Sequence, residues 1–362
     1  MENKNNKIDL FVFAGQSNMM GAAVLAPQDN EFTDQALEYK YLPRLRGAAI
    51  GSFVKAAHPA GEWHYNDPIK AYGDKLQDLS YRSTLGNYAD NTHFCPAMRN
   101  ENIAFADQSE ATAEAAASIP PYFVTEYARL GHACVYTHMA KGGVPLDHFY
   151  NAKTAERYNQ KILAYNEAHG TAYATVSPSG AGDAFDAKYR SMLEDYNTLN
   201  TGCVIQSKCF MWLQGESDAT CSTVEYRLRL EALWEHLQEL GFTHFFIYRV
   251  GFWGITAILN VIKAQEEFCN ETENCYIVTR APSLAAYPGR TTENWWIRDL
   301  SEEYLNCRDS YLTNIGNNHF NEKAFKLFAK RSAENVHRIL YLGQDPVLEE
   351  ENIQGMVDEK NS

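Results

Sequence analysis

The sequence predicts an α/β domain built on a parallel sheet, and three observations carry that expectation. Short apolar runs rich in β-branched and aromatic residues recur at Ile8–Ala14, Ala133–His138, Cys209–Leu213, His244–Val250 and Cys275–Thr279. Runs of this length without polar alternation are the pattern of strands buried on both faces. Helical patterns lie between them, and strands alternating with helices imply parallel pairing through right-handed crossovers. Finally, 45% apolar residues in a chain of 362 supply a core large enough for one unit.

Taken in order, the first run leads straight into Gly15-Gln16-Ser17 and a following helix. Residues 28–118 are rich in Asn, Asp, Gly, Tyr and His and lack sustained periodicity, so they read as an insertion with some helix that shapes a pocket wall. Pro120–Leu130 is a helix with prolines in its first turn, and His169–Ala187 reads as irregular. Val224–Leu240 places Tyr226, Leu230, Leu233, Trp234, Leu237 and Leu240 on one face, with Gly241 as a stop. Asn321 is the expected N-cap of a last helix carrying Phe325, Phe328, Ser332, Val336 and Ile339 on one stripe. Residues 1–343 are thus expected to form a single domain with an insertion at about 28–118. The acidic stretch 344–362 is expected to be a frayed, flexible tail.

Composition prunes the functions. With 32 Lys and Arg against 46 Asp and Glu, a net charge of −14 and no basic run, neither nucleic acid nor an anionic membrane surface is an expected partner. The polar start, Met1 to Lys7, runs directly into the first strand without a signal-peptide pattern, which points to a cytoplasmic location; a chain trimmed to a mature start would read the same. The eight cysteines form no C-x-x-C pair and several sit in apolar runs, as expected of reduced thiols rather than zinc ligands. P-loop and H-E-x-x-H motifs are absent, Gly180-Ala181-Gly182 lacks the third glycine of a dinucleotide fingerprint, and Gly15-Gln16-Ser17-Asn18-Met19 lacks the second glycine of a G-x-S-x-G elbow. No metal or organic cofactor is expected.

Four segments remain that can carry chemistry, each at a place where an open parallel sheet binds ligands. Ser17 stands in the turn after the first strand, where the amides of a following helix can donate to an oxyanion; read by itself it serves equally as a helix cap. Gly142-Gly143 follow the second strand and let backbone approach a ligand, or form merely a tight turn. Gln214-Gly215-Glu216-Ser217-Asp218 follow the third, with Asp218 as an alternative helix cap. His319, in Asn317-Asn318-His319-Phe320-Asn321, stands just before the last helix, where a lone histidine is commonly structural. Their succession along one sheet edge is what makes them a constellation.

These segments resemble the sequence blocks of the SGNH-type hydrolases, and more narrowly the carbohydrate-esterase branch that includes sialate O-acetylesterases and acetylxylan esterases, over residues 8 to about 340 in the same order. The resemblance implies a flavodoxin-like three-layer sandwich and a serine esterase that removes O-acetyl groups from a carbohydrate. Ser17 would be the nucleophile and His319 the general base. An oxyanion hole would form from the Ser17 amide, an amide of Gly142 or Gly143, and the Gln214 side chain, with Gln16, Asn18 and Asn318 contacting substrate. Two positions depart from the family pattern. Gly316 stands where an acid usually precedes the histidine by three residues, and Val144 where threonine usually follows the glycines. The acid then falls to Glu216, Asp218, Asp309 or no residue. Glu216 is favoured because its turn shares the edge with Ser17, whereas Asp309 precedes an expected strand at Tyr311–Ile315. Trp295-Trp296 and Trp63-His64-Tyr65 offer faces for sugar stacking. Two alternatives keep the same fold: a carbohydrate-binding protein without turnover, motivated by Gly316, and a lipid or thioester hydrolase with an apolar acyl channel.

Overall fold

A computed structural model describes residues 7–21, 23–24, 36–39, 94–96, 116–198, 202–253, 256–286 and 319–349. Seven strands form one sheet: β1 (Lys7–Gly15), β2 (Ala36–Tyr39), β3 (Phe94–Pro96), β4 (Cys134–Ala140), β5 (Val204–Leu213), β6 (His244–Tyr248) and β7 (Cys275–Thr279). Their spatial order is β7-β6-β5-β1-β4-β2-β3. All neighbours pair parallel except β2 and β3, which pair antiparallel at one edge. The five expected runs form the core strands β1, β4, β5, β6 and β7. In chain order these lie second-first-third-fourth-fifth across the sheet, the flavodoxin-like arrangement, and the fold is a three-layer α/β sandwich.

Apolar side chains on both faces hold the helices. Phe11 and Phe13 on β1 meet Phe123 and Tyr127 of α2 (Ile119–Arg129), after the short α1 (Ser17–Met20). The other face carries Trp212 and Phe245, against Phe149, Trp234 and Phe268. Phe149 comes from the turn Leu146–Phe149, Trp234 and Phe268 from α5 (Thr223–Glu239) and α6 (Leu259–Glu271), which form this layer with α3 (Ala152–His169) and α4 (Gly180–Thr198). The first face is completed by α7 (Ala281–Ala285) and α8 (Glu322–His337). There Tyr122 donates to Glu322 at 2.5 Å and Tyr248 and Ser332 hydrogen-bond at 2.9 Å. The expected N-cap of α8 is present, the Asn321 side chain accepting the Ala324 amide, and the expected stop Gly241 follows α5 at φ +88°; Ser222 and Glu225 add a capping box at the start of α5.

Three expectations are corrected. The 28–118 region is not wholly an excursion, since Ala36–Tyr39 extends the parallel sheet beyond β4 and Phe94–Pro96 closes its edge. Residues 180–187 are helical rather than irregular, the opening turns of α4. The tail is docked as far as Glu349: Asn335 donates to the Val347 carbonyl and accepts its amide, and Glu349 accepts from Thr279 Oγ1 at 2.8 Å and the Arg280 amide at 2.7 Å. Asp309, Tyr311–Ile315, Gly316, Asn318, Trp63-His64-Tyr65 and Trp295-Trp296 lie outside the described residues. Among the described residues six cysteines are free thiols, with Cys134, Cys209 and Cys275 buried in the core. No described helix is long and apolar enough to cross a membrane.

Candidate functional site

In this strand order the chain leaves β1 toward β4 on one side and enters β5 on the other, so the carboxyl ends of β1 and β5 form the switch point at which open parallel sheets bind their ligands. Backbone bonds tie the end of β1 to both neighbours: the Gln16 amide donates to the Leu213 carbonyl at the end of β5 and the Lys141 amide, just after β4, to the Gly15 carbonyl, both at 3.0 Å. The tie to Leu213 demands glycine at position 15, where φ is +140° and a Cβ would stand 2.1 Å from the Leu213 carbonyl oxygen. Gln16, extended and without a side-chain capping bond, is the N-cap of α1, which makes Ser17 the first helical residue. The capping alternative for Ser17 is thereby overturned. Ser17 is 9% exposed, between fully buried Gln16 and nearly buried Asn18.

The turn after β5 is laced to this one. Asn18 Nδ2 donates to Glu216 Oε1 at 2.8 Å, and the Ser217 amide donates to Gln16 Oε1 at 3.2 Å. Gly215, at φ +149°, permits the turn, because a Cβ there would crowd Val250 and Val261 within 2.8 Å. The two carboxylates of the turn differ completely. Asp218 is filled on both oxygens: Oδ2 accepts the Leu146 amide at 2.8 Å and Gln214 Nε2 at 2.5 Å, while Oδ1 accepts Arg229 Nη1 at 2.7 Å. Burial pushes its carboxyl up, against the pull of Arg229 and these donors. Glu216 is 5% exposed, and its Oε2 is buried with no hydrogen-bond partner among the described residues. Burial also raises this carboxyl, offset in part by the Asn18 amide.

Gln214 is not placed as expected. Nε2 gives its two protons to the Val144 carbonyl at 3.1 Å and to Asp218, while Oε1 accepts from Tyr226 at 2.9 Å. Both neighbours of Nε2 are acceptors, so the amide orientation is fixed and no proton remains for an oxyanion. This corrects the expected donor role: Gln214 holds the loop that carries Gly142 and Gly143. Asp218 is likewise a brace for that loop, neither a helix cap nor a free acid, since Ser222 caps α5. The backbone amides of Ser17 and the glycine pair remain the oxyanion donors the sequence offers.

His319 lies half-buried two residues ahead of the α8 cap, beside Phe320, whose ring packs on Phe328 at 4.9 Å. Hydrogen bonds thus bring Gln16, Asn18, Gln214, Glu216 and the loop after β4 together beside Ser17, whereas His319, in the bend ahead of α8, is not part of this bonded set. Sequence reasoning missed Arg229, Tyr226 and Gln265, which fix the turn from beneath: Tyr226 and Gln265 both donate to the Gln214 carbonyl at 2.9 Å. A signal was present, because Arg229 falls one helical turn from Tyr226 and beside Leu230, on the apolar face of α5, where a charge needs a buried partner.

No family model matches the chain, and no curated protein matches it either. Among solved structures it is similar to a protein from Arabidopsis thaliana, at 14% identity and TM-score 0.44, over 91% of this chain and 97% of that one. A carbohydrate acetylesterase from Xanthomonas citri gives 12% identity and TM-score 0.41, over 93% of this chain and 57% of the other. NanS gives 12% identity and TM-score 0.46, over 92% and 98%. Similarities this distant bear no weight on substrate or mechanism.

Proposed function

We propose that the protein is a serine esterase of the SGNH type that removes O-acetyl groups from a carbohydrate, with sialic acid or xylan-type sugars as the substrate class. The observation that carries this reading is the lacing of the Ser17 turn to the Gln-Gly-Glu-Ser-Asp turn at the switch point of the sheet, with an unfilled buried carboxylate oxygen on Glu216. Those turns are the ones that resemble the family's blocks.

In this reading His319 takes the Ser17 hydroxyl proton as Oγ attacks the acetyl carbonyl carbon. The amides of Ser17 and of Gly142 or Gly143 receive the developing oxyanion. Collapse breaks the carbon–oxygen bond to the sugar, and His319 returns its proton to the departing alcohol. Water, deprotonated by the same imidazole, then hydrolyses the acetyl-serine and releases acetate. Glu216 serves as the acid: Oε1 is held by Asn18, which leaves Oε2 for the imidazole N–H. Gln16 and Asn18, expected to contact substrate, are instead buried and hold the two turns together beside the nucleophile, which leaves Asn318 as the substrate contact.

Acetate release from a panel of O-acetylated sialic acids and acetylated xylooligosaccharides tests the reading. Release from at least one sugar class, lost in Ser17→Ala, is expected. Activity on octanoyl but not acetyl esters would favour the lipid or thioester alternative, and sugar binding without any release would favour the non-catalytic one.

A further inference from the structure

We propose that Arg229, on α5, is a positioning residue of the esterase site: through Asp218 and Gln214 it holds the loop 141–146 so that its glycine amides face the switch point. This inference rests on the esterase reading for its catalytic consequence. The geometry is a relay of short bonds through buried groups. Arg229 Nη1 donates to Asp218 Oδ1 at 2.7 Å. The other oxygen of that carboxylate takes the Leu146 amide and one proton of Gln214 Nε2, and the second proton of Gln214 goes to the Val144 carbonyl. At its start the loop is fixed by the Lys141 amide on the Gly15 carbonyl. The glycines are therefore suspended between two anchor points, and the later one depends on an ionised Asp218.

Asp218 can accept from three donors only as a carboxylate; a proton on either oxygen would face a donor. Arg229 is the cation that opposes the effect of burial there. The groups facing Asp218 are otherwise anionic or neutral: Asp147 on the 146–149 turn, Glu216 on its own turn, Cys221, whose Sγ lies 3.6 Å from Oδ1, and the buried hydroxyls of Tyr226 and Tyr150. The guanidinium is itself held 5.7 Å over the Tyr158 ring and 3.8 Å from Asp147. A single guanidinium nitrogen makes the bond to Asp218, so a lysine ammonium can supply the same charge.

The test compares Arg229→Gln with Arg229→Lys, and uses Arg227→Gln as the control, because Arg227 lies on the same helix but pairs with Glu271 at the surface. Rates on an acetyl ester are measured across pH, together with hydrogen-exchange protection of residues 142–146. Arg229→Gln should lower kcat by about 10²-fold with KM held, the effect of displacing catalytic groups by about an ångström. Its acid limb should move to higher pH and protection of 142–146 should be lost, whereas the lysine variant recovers most of both. Wild-type kcat and pH profile in the glutamine variant, or lost kcat with protection intact, overturns the proposal. Should the glutamine variant not fold, acid titration of the wild type decides: exchange across 142–146 should open at higher pH than exchange across β1 and β5, and simultaneous opening overturns it. If the wild type cleaves no acetyl ester, the esterase reading fails, while the exchange measurements still decide whether Arg229 holds the loop.

Discussion

The two ends of the sheet each bury a carboxylate with one oxygen occupied and the other without a partner among the described residues, yet they are built for different ends. At the amino end, Asp9 of β1 is fully buried, and Oδ2 accepts the hydroxyls of Tyr127 at 2.8 Å and Tyr341 at 2.5 Å. His132 stacks on Tyr341 with centroids 3.8 Å apart and hydrogen-bonds His337 at 2.8 Å, so the cluster staples β1 to α2 and to the end of the last helix. At the carboxyl end, Glu216 accepts from the Asn18 side-chain amide and stands among strand-end loops beside a serine. Phenols and rings closing over Asp9 leave no room for a ligand. Amides and glycines around Glu216 leave donors and one acceptor uncommitted, at the edge where open parallel sheets bind their ligands. An unsatisfied carboxylate oxygen therefore indicates chemistry only in the second surrounding.

That contrast can be broken by substitution. The largest expected effect is on rate at the carboxyl end: Ser17→Ala should lower acetyl-ester hydrolysis by several orders of magnitude while the melting temperature barely moves. A variant that loses both would mark Ser17 as structural.

Glu216→Gln should come next, lowering kcat steeply with little change in KM. Stability should move the opposite way with pH. The carboxyl of Glu216 is raised by burial, so its ionisation in the folded state costs stability as pH rises above the ordinary carboxylate value, and that cost is absent below it. The melting temperature of the glutamine variant relative to wild type should accordingly rise as the pH is raised above the ordinary carboxylate value of about 4.3. A difference flat with pH would mean that the carboxyl titrates alike in the folded and unfolded states.

The smallest effect on rate is expected at the amino end. Asp9→Ala leaves the Tyr127 and Tyr341 hydroxyls without their acceptor and should cost about 1–3 kcal/mol in chemical denaturation, with kcat unchanged. A fall in kcat at full folding would couple the two ends and erase the distinction.

The sequence is legible where burial writes a pattern. The five core strands stand out because strands covered on both faces are continuously apolar, and α5 and α8 because their stripes and caps agree. Helix α3 shows little of this, since only Thr154, Ala155, Tyr158 and Ile162 of its eighteen residues are buried. The glycines at 180 and 182 conceal the start of α4. At the site, the Ser17 turn and the Glu216 turn are readable as strand-end chemistry, because the ends of parallel strands are where loops meet. The direction of the Gln214 amide is not readable: its acceptor on Val144 lies 70 residues away, on a loop whose course depends on Asp218 and Arg229. Residue types and order thus identify the neighbourhood of the site, while which polar atoms remain free within it is decided by tertiary contacts.

The central claim is that Ser17 is a nucleophile, and labelling with a serine-directed fluorophosphonate followed by peptide mass spectrometry tests it most directly. A single adduct on Ser17 is expected, absent from Ser17→Ala and slowed in His319→Ala. An adduct on another serine, or none on Ser17 in a preparation that hydrolyses acetyl esters, would contradict it.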